Sequence, residues 1–595
     1  MRLRKRLIAA VSSAVLAAAL IAGCSSSSTD STAAAETAAV TTVDASTVDG
    51  TQDAATVLAA DKSAHTTAEA GTAADITLSG TSATSSAEGV TVDGSTVTIT
   101  AAGTYRISGT LTDGQIVVNA ADATVVLILD GADITSSTSA AIAATEVDQL
   151  VVQLADGTTN TLSDTSSYAE GADVNAALFS AGDLSITGGG TLAVTGNGND
   201  GIASKDGLLV ASGTVTVSAK DDGLRGKDYV VVDGGTITVT AGGDGVKADN
   251  DEDTDAGYVS VTAGTLTVTS AGDGIDAATD LVVTGGTVAV VSGGGHGTAP
   301  GEDVSAKGLK SGVLTVLEGG TITADSSDDA VHSDGAVHFN GATVTVASGD
   351  DGVHAEGQLI IDESTVEVTS AVEGLEGAHI VLNSGAASVV SSDDGVNAAG
   401  SDSAEEDSGG NGGGPGGEQV GDFSVTVGGG TLVIDSEGDG LDSNGVATIT
   451  GGTVVVNGPE RNGNGALDVN GTFSISGGTL VAAGSSGMAV APGTDSEQGW
   501  LSATLDDTVA AGTTLQIVDG DGTVVATFVT GKSMQNIVYS SSAITSGTSY
   551  SVYSGGTADG ASTGGLSASG TLGSATEVAT VTAGEAPAGG RGGPR

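Results

Sequence analysis

Hydrophobic and polar residues alternate along this chain in short runs typical of β-strands, without the 3.6-residue period of an amphipathic helix. Between Gly213 and Ala277 one order recurs three times: a Thr/Val strand, an Asp-Gly turn, a short apolar strand and a Val-rich strand ending in Gly. The turn position returns in steps of 22 residues, with one step of 21. It is occupied by Gly201, Gly223 and Gly245, and the register returns at Gly308, Ala330, Gly352, Gly374 and Gly395.

A unit of this length cannot bury its apolar faces alone, so consecutive units must stack. The pattern therefore predicts an all-β solenoid, a parallel β-helix with three strands in each coil of about 22 residues. Stacked strands lie about 4.8 Å apart. Each recurring position then becomes a column of side chains along the rod, and candidate chemistry must be sought in columns.

Departures from the period divide the chain. We predict the parallel β-helix over residues 74–492 and a small C-terminal β cap over 493–556, where Val518–Gly522 has the sequence of a hairpin turn. Residues 24–73, rich in Ser, Thr and Ala, are predicted to form a disordered linker. The Gly/Ser/Ala-rich residues 557–595 are predicted to be a disordered tail.

The N-terminus has the pattern of an export signal. Four basic residues precede an apolar run from Leu7 to Ala22, and Ile21 to Cys24 resembles a bacterial lipobox. We predict a lipoprotein signal peptide at residues 1–23 and lipidation of Cys24, the only Cys in the chain. An ordinary secretory signal is the alternative. The mature protein is expected on the extracellular face of the cell membrane, held by its lipid anchor alone.

Acidic residues dominate the charge, with 74 Asp and Glu against 17 Lys and Arg, for a net charge of −57. Such a surface repels nucleic acid and attracts cations. We therefore expect no nucleic-acid partner, and a long repeat domain of this kind is expected to be a monomer.

One column consists of the acidic residues that precede the turn position, here called the turn column. A carboxylate before Gly suits a tight turn, where it accepts nearby backbone amides. Carboxylates stacked about 4.8 Å apart also repel, so that a cation would stabilise them, and Ca²⁺ suits an all-oxygen site. The turn column is Asp200, Asp222, Asp244, Asp273, Asp329, Asp351, Glu373, Asp394 and Asp439.

The loop 249–255 carries carboxylates at alternate positions. It is not an EF-hand, because Thr254 stands where that motif requires Gly and Ser260 where it requires Glu. A solvated acidic loop is the alternative to a calcium site. The predicted metal residues are Asp222, Asp244, Asp249, Asp251, Asp253 and Asp273.

A second column lies two residues after the turn position and is expected to face outward, because the residue between is apolar. This outer column is Ala203, Arg225, Lys247, Asp276, Lys310, His332, His354, Glu376, Asn397 and Asp442. Its basic members either neutralise the neighbouring Asp residues or hold an anionic ligand. The candidate ligand-binding residues are Arg225, Lys227, Lys247, Lys310, His332 and His354.

Residues 221–261, 372–382, 391–400 and 451–492 together resemble a bacterial surface family called carbohydrate-binding domain-containing protein. The resemblance implies a right-handed β-helix related in shape to pectate lyases. It also implies calcium on the exterior and binding of cellulose and polygalacturonate without established catalysis. By motif it favours Asp222, Asp244, Asp273 and the loop 249–255 as metal residues. Val469 departs from the aromatic residue expected there, which weakens a stacking role.

Few aromatic residues are available to stack on sugar rings, chiefly Trp500, Tyr229 and Tyr258. We therefore favour an acidic polysaccharide, bridged by Ca²⁺, over cellulose, and expect no catalysis. One alternative is a pectate-lyase-like β-elimination with Ca²⁺ on the uronate carboxylate. Its candidate bases are Arg225, Lys227, Lys247 and Lys310. The other alternative is a purely structural surface rod.

Overall fold

The computed structural model describes residues 43–299, 305–400 and 420–585. In them the chain winds into a parallel β-helix with three strands per coil, and each strand pairs in parallel with its counterpart in the next coil. The predicted all-β solenoid is confirmed. The export signal, Cys24 and residues 401–419 lie outside the described residues, and lipidation stays a prediction.

The register reproduces the repeat read from the sequence. Leu224 pairs with Val246, one step of 22 residues later. The next pairs, Val246 with Ile275 and Ile275 with Leu309, are further apart in sequence because loops are inserted between the coils. The inserts leave the stacking intact, since they leave the rod at corners between strands.

One sheet, here called the threonine sheet, is buried on its inner face only, except in its last two strands, which the C-terminal cap also covers. In Thr236–Ala241, for example, Ile237 and Val239 face the core while the threonines between them are exposed. β-Branched residues suit both faces of such a strand. After the end of Thr124–Thr135 its strands are Thr159–Ser163, Thr191–Gly196, Thr214–Ala219, Thr236–Ala241, Thr265–Ser270, Thr287–Ser292, Thr321–Ser326, Thr343–Ser348, Thr365–Ser370, Ala386–Ser391, Thr431–Ser436, Thr453–Asn457 and Thr479–Gly484.

A second sheet, the short sheet, carries the outer column. Most of its regular strands have three residues, and their central residue is half-buried between two buried neighbours. Its strands are Thr96–Ile99, Gln115–Asn119, Ile142–Glu146, Ala176–Ser180, Asp200–Ser204, Leu224–Gly226, Val246–Ala248, Ile275–Ala277, Leu309–Ser311, Val331–Ser333, the beginnings of Val353–Asp362 and Leu375–Leu382, Val396–Ala398, Leu441–Ser443 and Leu467–Val469.

The third sheet, here called the strap sheet, is buried on both faces over much of its length. Its strands are Ala73–Gly80, Gly103–Leu111, Thr124–Thr135, Gln149–Leu154, Asp183–Gly188, Gly207–Val210, Tyr229–Val232, Tyr258–Val261, Asp280–Val283, Leu314–Leu317, Ala336–Asn340, Val353–Asp362, Leu375–Leu382, Ser424–Val427, Val446–Ile449 and Phe473–Ile475. Ala83–Ser85 pairs antiparallel with the first of these strands, and Val90–Asp93 forms a hairpin with the short sheet.

Residues 43–72, here called the strap, cover the outer face of the strap sheet. The strap holds a 3₁₀ helix, Ala45–Thr47, and an α-helix, Ala54–Ala60, whose N-cap Asp53 accepts the Thr56 amide. Val57 packs with a buried cluster on the strap sheet. The strap runs along successive coils, since Gly50 bonds to Gln358 and Gly71 to Thr104. The prediction of a disordered linker over 24–73 is therefore wrong for residues 43–73.

Residues 43–73 are ordered for a reason that lies in the strap sheet rather than in the strap itself. Its outward residues Val231, Val282 and Val316 are apolar and would be exposed to water without a cover. Burying one such side chain contributes about 1.5–3 kcal/mol. Ser424–Val427 lies beyond the strap and keeps half-buried outer residues.

The C-terminal cap closes the last coil. Trp500–Val509 and Met534–Ser540 pair antiparallel, and the latter also pairs with the last strand of the threonine sheet. A second, antiparallel sheet contains Thr514–Val518, Val524–Val529, Ser549–Ser554, Thr557–Thr563, Leu566–Thr571 and Thr576–Thr582. The predicted hairpin turn joins the first two of these strands, with Asp519 accepting the Asp521 and Thr523 amides.

The cap extends beyond the predicted boundary at residue 556. Residues 557–582 form three strands of the second cap sheet, so the prediction of a disordered tail is wrong for them, while residues 586–595 lie outside the described part of the chain. Backbone pairing orders this small-residue segment, and Gln516 donates to the carbonyls of Thr557 and Thr571. Among the described residues no helix has the length and apolar character needed to cross a membrane.

The strap gives the first testable expectation. Val57→Asp should undock the strap, because a carboxylate in this apolar cluster would be desolvated without a partner. Hydrogen exchange should then become faster in residues 43–72 and in the strap sheet, while the threonine sheet stays protected. The matched control is Val43→Asp, since Val43 is 37% exposed. Unchanged protection of the strap in Val57→Asp would contradict the packing described above.

Candidate functional site

The outer column exists as the sequence predicts. The strands of the short sheet pair Ala203, Arg225, Lys247, Asp276, Lys310, His332, His354, Glu376, Asn397, Asp442 and Asp468 in that order along the rod. The outer column and the turn column lie side by side and are together called the charged face.

The turn position is glycine in most coils for a steric reason. A Cβ on Gly223 would lie 2.2 Å from Cγ1 of Val239, and one on Gly245 would lie 2.1 Å from Cγ1 of Val268. These valines belong to the threonine sheet of the next coil and point into the core. The chain therefore comes close to the next coil at this corner, directly after each acidic residue of the turn column.

In most turn-column residues one carboxylate oxygen accepts a backbone amide. The amide of Asp244 donates to Oδ1 of Asp222 at 2.9 Å, and the amide of Asp273 donates to Oδ1 of Asp244 at 2.8 Å. The same ladder joins Asp351 to Asp329 at 3.1 Å. Part of the turn interpretation is thereby confirmed, but the amide that each carboxylate accepts belongs to the next coil.

The other oxygen, Oδ2, pairs with the outer column three residues later in sequence. Nδ1 of His332 lies 2.8 Å from Oδ2 of Asp329, and Nδ1 of His354 lies 3.1 Å from Oδ2 of Asp351. Lys247 pairs with Asp244 in the same way. The two columns are therefore interlocked, because one carboxylate bonds both to the next coil and to the outer column.

The predicted ligand-binding cations all have acidic partners. Lys247 lies between Asp244 and Asp276, at 3.0 Å from the latter, and Lys310 lies between Asp273 at 3.3 Å and Asp276 at 3.1 Å. Burial by itself would lower the pKa of Lys247, but the carboxylates of Asp276 and Asp244 outweigh it and raise the pKa above its ordinary value. These ammonium groups therefore stay protonated.

The other two predicted cations flank the acidic loop. Arg225 pairs with Asp249 and lies 3.6 Å from Asp200, while Lys227 lies 3.4 Å from Glu252. The side chains of Arg225, Lys247 and Lys310 are 28%, 26% and 29% exposed. This half of the charged face, here called the paired half, is neutralised internally and remains open to solvent.

The predicted metal residues are placed on the paired half. Asp244, Asp249 and Asp273 face the basic side chains just described. Asp253 accepts a hydrogen bond from Asn250 at 3.2 Å, and Asp251 is exposed. In the loop 249–255 the carboxylate oxygens have existing partners or lie in open solvent. In the turn column both oxygens of Asp244 and Asp273 are bonded to the backbone or to lysine, and one oxygen of Asp222 accepts the Asp244 amide.

Among the described residues, three groups of His and carboxylate side chains bring one ligand atom from each member within 4.8 Å of the others. None of these groups contains a predicted metal residue. They are Asp329, His332 and His354; Asp351, His354 and Glu376; and Asp328, Asp329 and Asp350. The predicted ligand-binding residues His332 and His354 thus lie among carboxylates, with their rings stacked 5.0 Å apart.

Beyond His354 the outer column contains no basic residue, and this part of the charged face is here called the acidic half. Burial raises the pKa of Glu373 to about 7. Burial and the neighbouring Asp439 raise the pKa of Asp394 to about 8, and burial with Asp394 and Asp468 raises that of Asp442 to about 8. These carboxylates lie in an environment that disfavours their negative charge.

One amide oxygen supports the acidic half as a cation site. Asn397 donates from Nδ2 to Oε2 of Glu373 at 2.8 Å, while its Oδ1 is buried without a hydrogen-bond partner. A buried oxygen of this kind is costly unless a donor or a cation satisfies it. The repeat assigns these residues to the two columns but does not distinguish them from the other polar members. The available signal in the sequence is that the outer column has no basic residue after His354.

The aromatic residues named as available for sugar stacking are not exposed. Tyr229 and Tyr258 are 1% and 3% exposed beneath the strap, and Trp500 is 2% exposed in the cap. Their polar atoms are also engaged, since the hydroxyl of Tyr229 donates to Asp183 and that of Tyr258 to the carbonyl of Lys62. None of the three can stack on a sugar ring in this state.

Residues 93–352 match the model of a family described as carbohydrate-binding domain-containing protein. A relative of that description from Acetivibrio thermocellus is 38% identical over 122 residues, which are 20% of this chain and 43% of the relative. The match therefore spans less than half of the relative's length. A solved structure described as a polysaccharide lyase-like protein from C. thermocellum, gadolinium derivative, is 31% identical and covers 49% of this chain and 98% of its own, with a TM-score of 0.35. The family resemblance drawn from the sequence is confirmed.

The raised carboxyl pKa values give an expectation for stability. A carboxyl group whose pKa is near 7 or 8 in the folded state and near 4 when unfolded binds more protons in the folded state. Its stabilising contribution is present at low pH and is lost as pH rises through the folded value. In the presence of chelator the thermal midpoint should therefore fall as pH rises from about 5.5 to about 8.

The histidines act in the same direction. The carboxylates next to His354 outweigh the effect of burial and raise the pKa of this histidine to about 12. The stabilisation from His354 is complete below about pH 6.5, the ordinary pKa of histidine. It diminishes as pH rises from there towards the raised pKa. The triple variant Glu373→Gln, Asp394→Asn, Asp442→Asn should flatten the pH dependence. A midpoint that rises with pH over this interval in the unaltered protein would contradict the argument.

Proposed function

We propose that the charged face binds an acidic polysaccharide with the help of Ca²⁺, and the match of residues 93–352 to the model of carbohydrate-binding domain-containing proteins supports this proposal. The observation that carries the proposal is the division of this face. The paired half presents ammonium and guanidinium groups that are open to solvent. The acidic half presents oxygen ligands in an environment that disfavours their charge.

The paired half can bind anionic sugars directly. A lysine ammonium group has three N–H donors. Nζ of Lys247 lies near two carboxylates, and so does Nζ of Lys310. One donor of each is therefore available for a uronate carboxylate, which would form a charge-assisted hydrogen bond. Repetition of the basic groups along the rod favours a polymer over a single sugar.

The acidic half supplies the proposed calcium ligands. Ca²⁺ takes six to eight oxygen ligands in flexible geometry, and carboxylate and amide oxygens are among them. Glu373, Asp394, Asp442 and the Oδ1 atom of Asn397 offer this donor set. A bound Ca²⁺ would favour the charged state of the carboxylates and could share uronate oxygens with the glycan.

The available oxygens also explain why we place Ca²⁺ here rather than on the predicted set. The carboxylates of Asp244 and Asp273 are bonded on one oxygen to a backbone amide and on the other to lysine. A cation there would have to displace an ammonium group that is already present. In the acidic half it would displace only a proton.

The charge states of the lysines on the paired half favour binding without cleavage. β-Elimination needs a basic group that accepts the proton at C5 of the uronate. Burial opposes protonation of Lys310, but the carboxylates of Asp276 and Asp273 overcome that effect and raise its pKa. Lys247 is held in the same way. A protonated amine cannot act as the base, so we propose a binding protein rather than a lyase.

Glycan binding can be tested with polygalacturonate and the purified protein. The triple variant Arg225→Gln, Lys247→Met, Lys310→Met should bind at least about tenfold more weakly, because it loses three charge-assisted donors. Its calcium stoichiometry should be unchanged. The matched control is Arg106→Gln, which alters an exposed pair with Asp130 on another sheet.

The same titration separates the alternatives. Binding that is equal with and without chelator would contradict the role of calcium. Absence of binding to any acidic glycan, in protein with an unchanged thermal midpoint, would leave the structural rod. Turnover that generates unsaturated uronide absorbance, and that is lost in one Lys or Arg variant, would establish the lyase.

The calcium site can be located with two variants of equal charge change. Glu373→Gln, Asp394→Asn, Asp442→Asn should lose at least one Ca²⁺ in calorimetry. It should also lose the part of the thermal midpoint that chelator removes, because ions bound only by the folded state stabilise it by mass action. Asp249→Asn, Asp251→Asn, Asp253→Asn is the matched control and should keep the full stoichiometry. The reverse result would place the ion in the loop 249–255.

A further inference from the structure

The junction between the two halves of the charged face has a different chemistry from either half. The outer column passes there from Lys310 through His332 and His354 to Glu376. The rings of His332 and His354 are stacked at 5.0 Å with an interplanar angle of 21°. Imidazole nitrogen is a ligand for transition metals, whereas Ca²⁺ takes oxygen.

His354 is the centre of this junction because two carboxylates approach the same nitrogen. Its Nδ1 lies 3.1 Å from Oδ2 of Asp351 and 3.0 Å from Oε2 of Glu376. An imidazole Nδ1 carries at most one hydrogen, so the two oxygens must share it. Two anionic oxygens and one ring nitrogen at nearly equal separations are an arrangement suited to a shared cation.

The separations also agree with metal coordination. Zn²⁺ binds nitrogen and oxygen at about 2.0–2.2 Å in tetrahedral sites, so that its ligand atoms lie about 3.4 Å from one another. The N–O separations at His354 are within a few tenths of an ångström of this value. On the far side of the ring, Nε2 lies 3.6 Å from Oε1 of Glu356. A carboxylate in that position orients a metal-bound imidazole and makes it a stronger ligand.

The neighbouring group of Asp329, His332 and His354 is less suitable. Nζ of Lys307 lies 2.6 Å from Oδ2 of Asp329 and 3.2 Å from Oδ1 of Asp328, so an ammonium group already neutralises those carboxylates. Burial together with nearby acidic groups raises the pKa of Asp351 to about 7, although His354 opposes the shift. Asp329 thus pairs with both Lys307 and His332, whereas Asp351 and Glu376 share the single basic side chain of His354.

We propose that Asp351, His354 and Glu376 bind one divalent transition-metal ion of the Zn²⁺ type, with the fourth coordination position open to water or to an oxygen of a bound ligand. The ion replaces the proton on Nδ1 of His354, which leaves to solvent. Neither oxidation nor reduction is involved. The site is independent of the calcium and glycan proposals, because it uses a nitrogen ligand and lies outside the carboxylates assigned to calcium.

Calorimetry with Zn²⁺ tests the proposal on the purified full chain, in a buffer that contains excess Ca²⁺. We expect the site at His354 to take up one Zn²⁺ and to release about one to two protons near pH 7. The proton count comes from titrations in two buffers of different ionisation enthalpy. Co²⁺ serves as a second probe, because its visible absorption reports a low-coordinate site.

His354→Gln should weaken Zn²⁺ binding at least about 100-fold and remove the Co²⁺ absorption, and Glu376→Gln should weaken binding at least about tenfold. The control His379→Gln alters a histidine whose Nδ1 pairs with Ser424 on the strap sheet and should leave both signals unchanged. Folding of each variant is checked by its Ca²⁺-induced rise in thermal midpoint, which should be retained while the Zn²⁺-induced rise is lost in His354→Gln.

Three results would overturn the assignment. The first is the absence of Zn²⁺ binding by protein that still binds Ca²⁺. The second is binding that persists unchanged in His354→Gln, which would show an adventitious ion elsewhere. The third is a loss in His332→Gln as large as that in His354→Gln together with no effect of Glu376→Gln, which would place the ion in the neighbouring group. Each result leaves the calcium and glycan proposals untouched.

Discussion

The structure depends on the bond between the carboxylate of one coil and the backbone amide of the next. Parallel stacking places equivalent residues of successive coils about one strand spacing apart. Identical charges therefore recur at short distance, and repulsion between them opposes stacking. The turn column counters this effect by giving one oxygen to the next amide, as Asp222 does for Asp244. The other oxygen remains for the outer column, so the same residue both holds the coils together and shapes the charged face.

Coverage by the strap decides which surfaces of the rod can contact a ligand. The strap covers the strap sheet from Thr104 to Gln358. The hydroxyls of Tyr229 and Tyr258 form hydrogen bonds with the backbone of the strap. The charged face remains exposed, and so does the threonine sheet except in its last two strands, which the cap covers. The threonine sheet is uncharged over most of its length, whereas the charged face combines fixed cations with carboxylates whose charge is disfavoured. A polyanionic glycan that arrives with Ca²⁺ matches the second surface in sign on both of its halves.

The change of chemistry along the rod follows from the residue types at successive positions of the outer column. Arg and Lys neutralise the turn column at first, histidines follow, and acidic or amide residues complete the series. Because the backbone scaffold repeats, each coil presents a similar geometry with a different cation or ligand atom. A solenoid can in this way place the proposed anion-binding surface, the proposed nitrogen-containing metal site and the proposed oxygen-rich cation site in sequence along one face.

The sequence by itself determined the all-β solenoid, the 22-residue coil and the order of both columns, because a strict repeat leaves only one way to stack the apolar positions. It also located the hairpin at Asp519. It did not reveal that residues 43–73 cover the strap sheet, because the need for that cover lies in distant outward residues such as Val282 and Val316. The strands after Thr557 were missed for a related reason, since backbone pairing rather than apolar content orders them.

Only the tertiary structure decided the partner of each charge. Lys247, Lys310 and His354 are equivalent in sequence register, and the structure shows that each lies between two carboxylates, one of them from the same coil or its neighbour. In the sequence Asn397 is one polar residue of its column among others. Only the structure shows that its Oδ1 is buried without a hydrogen-bond partner. Register is encoded locally by the repeat, whereas burial and charge pairing depend on side chains from adjacent coils and inserted loops.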